Sequence, residues 1–363
     1  MLLLAAGFLM PTGAAWSDVF YVISGPAILV ALWRGGFREN WLDPTRALPI
    51  GLILWSAATV FWCTDPARRN FLYLVQGLCC LVYFAGLVTA LDHARFARAM
   101  GTVLILFGTL NAAISEVLYP WRNGIGGRLG GLGETRQAIL GASVIAVAAL
   151  FALFRALNGD GRRWWCLAAA IVMAGFVALT QSRGPLAGLS AGILVLILAS
   201  RWRWRILPPL IGLPALALMF DRSLRDRLIG VFSERGNSFR FEIWQASLRR
   251  IGEHPWIGHG MGAKLAYKEF TFPHDVYLSL LFYSGAVGLV LFGAIVWRLL
   301  GGVIRRPGAE RMLLISLWAN MLVSGLTDYG QIIKGPSPLW YIIWLPMAYS
   351  ATYVVGNAAG QRG

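Results

Sequence analysis

An all-α polytopic membrane protein is the fold class that this 363-residue sequence predicts, and three observations lead there. Hydrophobic residues make up 57% of the chain and charged residues 13%, against roughly 45–50% and about 25% in soluble domains. Long apolar runs recur from one end to the other, and a span of ~20 apolar residues plus a connection of about 8–10 leaves room for on the order of 12 crossings. Formal net charge is +15, with a sequence pI near 10.3. In a soluble protein that excess would point to nucleic acid. In a membrane protein it is divided between the cytoplasmic rim and an anionic substrate, so no nucleic-acid partner is expected.

The apolar runs lie at about 1–15, 19–33, 47–63, 71–91, 101–119, 138–154, 164–181, 185–200, 206–220, 276–297, 313–327 and 338–355. The N-terminal MLLLAAGFLMPTGAAWS has no basic residue ahead of its apolar stretch and reads as a short first span, not as a cleaved signal. With both termini cytoplasmic, the inner connections 34–46, 92–100, 155–163, 201–205 and 298–312, with the C-terminal tail, carry 16 Lys/Arg. The short outer connections carry 7: Arg68, Arg69, Arg122, Arg128, Arg136, Arg183 and Lys334. The inner excess favours this orientation. The long outer segment 221–275 adds 9 Lys/Arg against 7 Asp/Glu and makes the basic count even, but a loop of that length approaches the size at which the rule stops applying. The chain therefore divides into a membrane part at 1–220, an outer loop at 221–275 and a second membrane part at 276–363.

Tryptophans near run ends (Trp16, Trp33, Trp121, Trp164, Trp165, Trp202 and Trp204) are expected to form an interfacial belt anchoring the protein among membrane lipids. Cys63, Cys79, Cys80 and Cys166 all sit in or beside apolar runs without a CxxC spacing, which argues against a disulfide framework or thiolate metal site. His254 and His259 are five apart across a proline and glycines, lacking the helical i,i+4 spacing of a zinc pair. No metal or other cofactor is expected.

Four places carry residues that a bilayer makes expensive or that orientation does not explain. Gln181-Ser182-Arg183-Gly184 is wedged between two apolar runs and fixes Arg183 at the outer surface, where a guanidinium either snorkels to headgroups or grips phosphate oxygens bidentately. The glycine-rich stretch 121–137, which includes Arg128 and Arg136, reads either as a surface loop or as a cradle whose backbone N–H groups approach an anion; it is not a Walker A loop. From Ser238 to Glu253 an amphipathic helix is expected, with Phe241, Trp244, Leu248 and Ile251 on one face and Arg240 resting on Trp244 or reaching past it. It must stop by Pro255, and Gly258, Gly260 and Gly262 permit a close return. Pro273-His274-Asp275 immediately precedes the 276–297 run, placing an imidazole suited to taking a proton from a hydroxyl at a helix end.

Together these motifs resemble the O-antigen ligase and polymerase superfamily of bacterial envelope glycosyltransferases, and the ligase branch most closely. The family's histidine motif is a His, a neutral polar residue, nine residues and a Gly-x-x-Gly-like end. Here it is His274, Asp275, Val276 to Ser284, then Gly285-Ala286-Val287-Gly288. The spacing matches and Asp275 departs at the second position. Ser182-Arg183-Gly184 is similar to the family's Ser-Arg-Gly turn, and Arg240, Trp244, Pro255, Gly258 and Gly260 to its Arg-x-x-x-Trp segment. Arg128 falls in the family's earlier outer loop, although Glu134-Thr135-Arg136 replaces the common asparagine-containing end.

The resemblance implies a lipid-dependent glycosyltransferase of the GT-C-like architecture, with a long helical outer loop. Such an enzyme sits in the bacterial inner membrane and acts on the periplasmic side. It moves a glycan from undecaprenyl diphosphate to a sugar of the lipid A core in the ligase branch, or to a growing glycan in the polymerase branch, without metal or nucleotide. His274 is then the expected general base. Arg183, Arg240, Arg128 and Arg136 are the expected contacts for the departing diphosphate, and Asp275, Trp244 and Ser182 are candidates for orienting or packing. A polyprenyl-linked glycan transporter is the competing reading, but it would carry ionisable residues along a midplane path. Here Glu116 and Asp328 lie near the outer ends of their runs.

Overall fold

Proline and glycine decide where the helices begin, stop and open. The computed structural model describes residues 1–36, 41–65, 67–123, 127–159, 163–201, 203–205 and 239–359. Helix α1 (Leu2–Leu9) ends because Pro11 forces the preceding Met10 into an extended conformation. The Thr12 hydroxyl then accepts from the Ala15 N–H at 3.2 Å and starts α2 (Gly13–Arg34). The expected runs 1–15 and 19–33 are thus a short helix and one longer, continuous one. The chain continues with α3 (Pro44–Trp62), capped by the Asp43 carboxylate on Thr45 N–H at 2.8 Å, then α4 (Leu72–Leu91), α5 (Ala94–Trp121) and α6 (Ala138–Asn158). Next come α7 (Arg163–Leu179), α8 (Arg183–Ala199), α9 (Arg240–Ile251), α10 (Val276–Arg305) and α11 (Arg311–Gly325). The last helix, α12, is a π turn at Trp340–Trp344 running into Leu345–Ala359.

Among the described residues the structure is all-helical, with one isolated bridge between Tyr267 and Phe270. Six helices (α2 to α6 and α10) are long and apolar enough to cross a membrane; α7, α8 and α11 are apolar but shorter. The expected span at 206–220 lies outside the described residues, as does the loop up to 238.

Two seams hold the bundle. Gly184, Gly188 and Gly192 of α8 recur at every fourth position and face α11 and the residues just after it. A Cβ at Gly188 would lie 2.7 Å from the Asn320 carbonyl oxygen, and one at Gly192 3.0 Å from that of Ser316, so only glycine allows the backbones this close. The second seam is aromatic. Trp16 stacks on Tyr341 at 5.8 Å and meets Trp340 edge-on at 5.9 Å, while Tyr83 stacks on Trp340 at 4.3 Å. Trp16 is only 1% exposed and its indole N–H donates to the Leu3 carbonyl at 2.9 Å. It is a core residue and departs from the expected interfacial belt, because the chain folds α1 over it. Trp33, Trp121, Trp164, Trp165 and Trp204 are exposed, and Trp202 lies outside the described residues.

Helix α10 is opened in its first half, and this break shapes the site. Gly285 adopts φ 65° and ψ −169°, a region essentially reserved for glycine. The carbonyls of Phe282 and Tyr283 turn out of the helix and accept from the N–H groups of His259 (2.7 Å) and Gly260 (3.0 Å). The Trp55 indole N–H donates to the Ser284 carbonyl at 3.0 Å, and the N–H of Ala286 donates to the Pro255 carbonyl at 2.8 Å. The turn at 255–262 is therefore inserted into the break. Each of these exposed backbone groups finds a partner, as non-helical backbone at membrane depth requires.

Candidate active site

His274 enters from the irregular segment that precedes α10. Its backbone is left-handed (φ 55°), and its ring stacks on Phe272 at 3.9 Å and meets Phe270 edge-on at 5.8 Å. This positive φ for a non-glycine residue is a local strain held by the flanking helix cap and rings. The ring is half-buried, and burial, then the nearby Arg240 charge, lowers its pKa below the usual histidine value. The shift favours the neutral imidazole, the form with a lone pair that can accept a proton. Asp275, a candidate to orient that ring, acts on the helix instead. Its carboxylate accepts from the Leu278 N–H at 2.8 Å as the N-cap of α10. Burial raises its pKa, and the N–H groups of Leu278 and Tyr277 pull it back.

A carboxylate outside the expected site residues organises the arginines. Asp328 follows α11, is 2% exposed, and receives Arg240 Nη2 at 3.1 Å. A Cβ at Gly184 would collide with Asp328 and Thr327, so Asp328 rests against the first turn of α8, where the helix dipole favours an anion. Burial pushes its pKa up to about 6, while Arg240, Thr327 and Arg128 draw it down. The sequence signal for Asp328 was an ionisable residue at the end of an apolar run.

Arg128 joins the same group from the earlier outer loop. Its Nε donates to the Thr180 carbonyl at 3.0 Å and its Nη2 to Ser182 Oγ at 2.9 Å. Ser182 is buried and Gln181 is left-handed (φ 52°), so the turn is tight; Arg183 follows, exposed, as the first residue of α8. Arg136 is exposed at the end of the short turn Gly133–Arg136 and makes no described contact with this group.

The expected anion cradle takes a different form. Within the described part of the glycine loop, the N–H groups of Leu129, Gly131 and Thr135 are bonded to the carbonyls of Leu179, Thr135 and Leu132. Asn111 bridges the Phe8 and Leu132 carbonyls at 2.7 and 3.3 Å. The loop's glycines serve close packing, since Cβ atoms at Gly130 and Gly133 would meet backbone of Arg136 and Met10. Those three N–H groups are therefore not open to an anion, and the loop contributes the Arg128 side chain. Gly124 and Gly126 lie outside the described residues.

Helix α9 is also rotated from expectation. Ile243, Ser247 and Ile251 are buried and Trp244 half-buried, whereas Phe241 is 67% and Leu248 56% exposed. Ser247 is tolerated inside because its hydroxyl donates to the Ile243 carbonyl at 2.7 Å. Arg240 reaches past Trp244 to Asp328. His259 is fully buried, with Nε2 2.6 Å from the Arg250 carbonyl and Nδ1 3.2 Å from Thr64 Oγ1, so it ties the end of α9 to the loop after α3.

His274 and Asp328 line one cavity of about 610 Å³, together with Tyr73, Gln137, Gln331 and Lys334. An imidazole, a carboxylate-held arginine and a second arginine bonded at the Ser182 turn are thus brought near one another from four separate parts of the chain. Such a group can take a proton from a hydroxyl while meeting negative charge nearby.

Comparison with known proteins finds two similarities. The O-antigen ligase family model matches residues 168–293, which include Ser182-Arg183-Gly184, Arg240, His274 and the Gly285 break, but not Arg128, Arg136 or Asp328. An O-antigen ligase from Pseudomonas aeruginosa is 28% identical over 377 aligned positions, covering 97% of this chain and 91% of the relative. The described residues are all-helical with six helices long and apolar enough to cross a membrane, and the chain resembles O-antigen ligases, through the family model over residues 168–293 and through the relative along nearly its whole length.

Proposed function

We propose that the protein is an inverting O-antigen ligase of about twelve spans in the bacterial inner membrane. It transfers a glycan from undecaprenyl diphosphate to a hydroxyl of a lipid A-core sugar at the periplasmic face. The observation that carries this reading is the cavity-lining His274 beside the Arg240–Asp328 pair. His274 takes the proton from the acceptor hydroxyl as its oxygen attacks the anomeric carbon. The bond to the diphosphate breaks on the opposite side, and the leaving group departs as an anion. Arg183 and Arg240, with Arg128 and Arg136 in the outer loop, meet that charge. Asp328 holds Arg240 in place, and the Arg128–Ser182 bond sets the turn that presents Arg183.

The test is transfer by purified protein from an undecaprenyl diphosphate-linked glycan to lipid A core. His274→Ala is expected to lower kcat by about 10²–10⁴-fold with the fold intact. Near wild-type transfer by that variant would remove His274 from the mechanism. In cells, loss of the gene should leave carrier-linked polymer of normal length and lipid A core without glycan. A single attached repeat would identify a polymerase instead, and carrier-linked units trapped inside a transporter.

A further inference from the structure

The cavity lined by His274 carries two cations that the arginine group does not include. Only three of the 32 basic residues are lysines, and two of them, Lys264 and Lys334, lie on this wall. Arg128, Arg183 and Arg240 do not; they gather around Asp328 and the Ser182 turn. The third lysine, Lys268, is already engaged by Glu242 at 3.0 Å; neither Lys264 nor Lys334 is in a described ion pair, although Lys334 lies near enough to draw down the Glu134 carboxyl and the Lys264 backbone N–H donates to the Asp65 carboxylate at 2.8 Å. Both are exposed at the cavity. The same wall includes Tyr73, Gln137 and Gln331, side chains of the kind that can donate to and accept from sugar hydroxyls, with the Gln331 amide donating to the Tyr73 hydroxyl at 3.1 Å.

A general base must lie within hydrogen-bond reach of the hydroxyl it deprotonates. If His274 is that base, the cavity its ring lines is the acceptor's place, and the lysines meet the acceptor and not the departing diphosphate. The side-chain chemistry divides in the same way. Arginine's planar fork suits bidentate capture of diphosphate oxygens, while a flexible ammonium serves as a point charge for one anionic group.

We propose that Lys264 and Lys334 form an acceptor subsite that holds an anionic substituent, phosphate or carboxylate, of the acceptor saccharide and thereby sets its reacting hydroxyl at His274. This rests on the ligase reading above. The subsite determines specificity: an acceptor without the anion enters the same cavity but is held less tightly.

The experiment compares full-length wild type, Lys264→Gln, Lys334→Gln and the double variant with three acceptors: intact lipid A core, phosphatase-treated lipid A core and lipid A core with its carboxyl groups reduced. The glutamine variants are expected to raise the acceptor KM about tenfold, a loss of roughly 1.4 kcal/mol, with kcat and donor KM within about twofold. Wild type should show the same rise with one modified acceptor, which identifies phosphate or carboxylate as the group held. The double variant should no longer distinguish that acceptor from the intact one, and Lys→Arg at either position should restore most of the affinity. An unchanged acceptor KM, a rise confined to donor KM, or equal use of all acceptors by wild type would overturn the proposal. If wild type transfers to no lipid A-core acceptor, the ligase reading itself fails. The lysines are then judged by binding alone: wild type must bind deacylated core oligosaccharide more tightly than its anion-depleted form, and the double variant must not. The single variants serve if the double variant does not fold.

Discussion

At the scale of residues, the site is governed by two titrating groups with opposite effects. Burial lowers the His274 pKa, so the base is lost only as pH falls below the usual histidine range, and turnover rises with pH through that limb. Burial raises Asp328 to about 6 from its ordinary 3.8. A carboxyl raised on folding contributes stability that is full below the unfolded value and is lost as pH rises through the folded one. Between about pH 4 and 6 the protein should therefore lose some stability, and, with His274 as the base, its turnover should rise as that ring loses its proton. Asp328→Asn should flatten the pH dependence of the thermal midpoint while leaving the acid limb of the kcat profile, which belongs to His274, in place. It should also raise the donor KM, since Arg240 loses the carboxylate that holds it. A kcat limb that vanished with Asp328 would assign the titration to the wrong residue. Asp275 belongs to a different category: as an N-cap, its replacement by alanine should cost about 1 kcal/mol of stability, read as a lower thermal midpoint, with the pH profile unmoved.

At the scale of elements, the break in α10 explains a spacing that the sequence only displays. Gly285 stands eleven residues after His274 because the helix runs about three turns from its Asp275 cap before it must open for the 255–262 turn. A Cβ at Gly285 would strike the Trp256 carbonyl, and one at Gly258 would lie 2.6 Å from Gly285 N, so neither glycine has a substitute. Gly285→Ala combines this clash with a disfavoured φ and should destabilise by about 2–4 kcal/mol or prevent folding, which thermal unfolding in detergent would show. Gly293, with nothing within 4 Å of its added Cβ, is the control: alanine there should leave the midpoint within about 0.5 kcal/mol or raise it. Helix α9 shows the limit of reading faces from apolar periodicity. Phe241 and Leu248 recur as an inside face would, yet α9 buries Ile243, Ser247 and Ile251. In a protein whose surroundings include lipid, an apolar residue does not by itself mark the side that faces protein.

At the scale of the whole molecule, charge and topology make one further expectation. If the termini are cytoplasmic, the stretch that carries Arg136 and the loop that carries Lys264 face the periplasm, and the segment 203–205 faces the cytoplasm. Single cysteines at Arg136 and Arg203, in a chain whose own four cysteines are replaced, should then label differently in intact cells. A membrane-impermeant maleimide should reach the first and not the second, and the reverse pattern would invert the topology. Both positions are exposed, so accessibility is limited only by the membrane.

The sequence by itself determined the helical membrane character, most of the helix positions, the histidine spacing, and the arginines at 128, 183 and 240. These follow from composition, apolar run length and local motif chemistry, all of which act over a few residues or one membrane thickness. Only the tertiary structure decided which groups meet. The Arg240–Asp328 pair joins residues 88 apart and the Arg128–Ser182 bond residues 54 apart, and no local pattern names such partners. Packing also decided that Trp16 is core, that N–H groups of the glycine loop bond within the loop and to the Leu179 carbonyl, that Asp275 caps a helix, and that two lysines share the cavity of His274. Each of these depends on what lies across a helix interface, because a buried polar group must find its partner wherever the fold brings one within 3 Å or so.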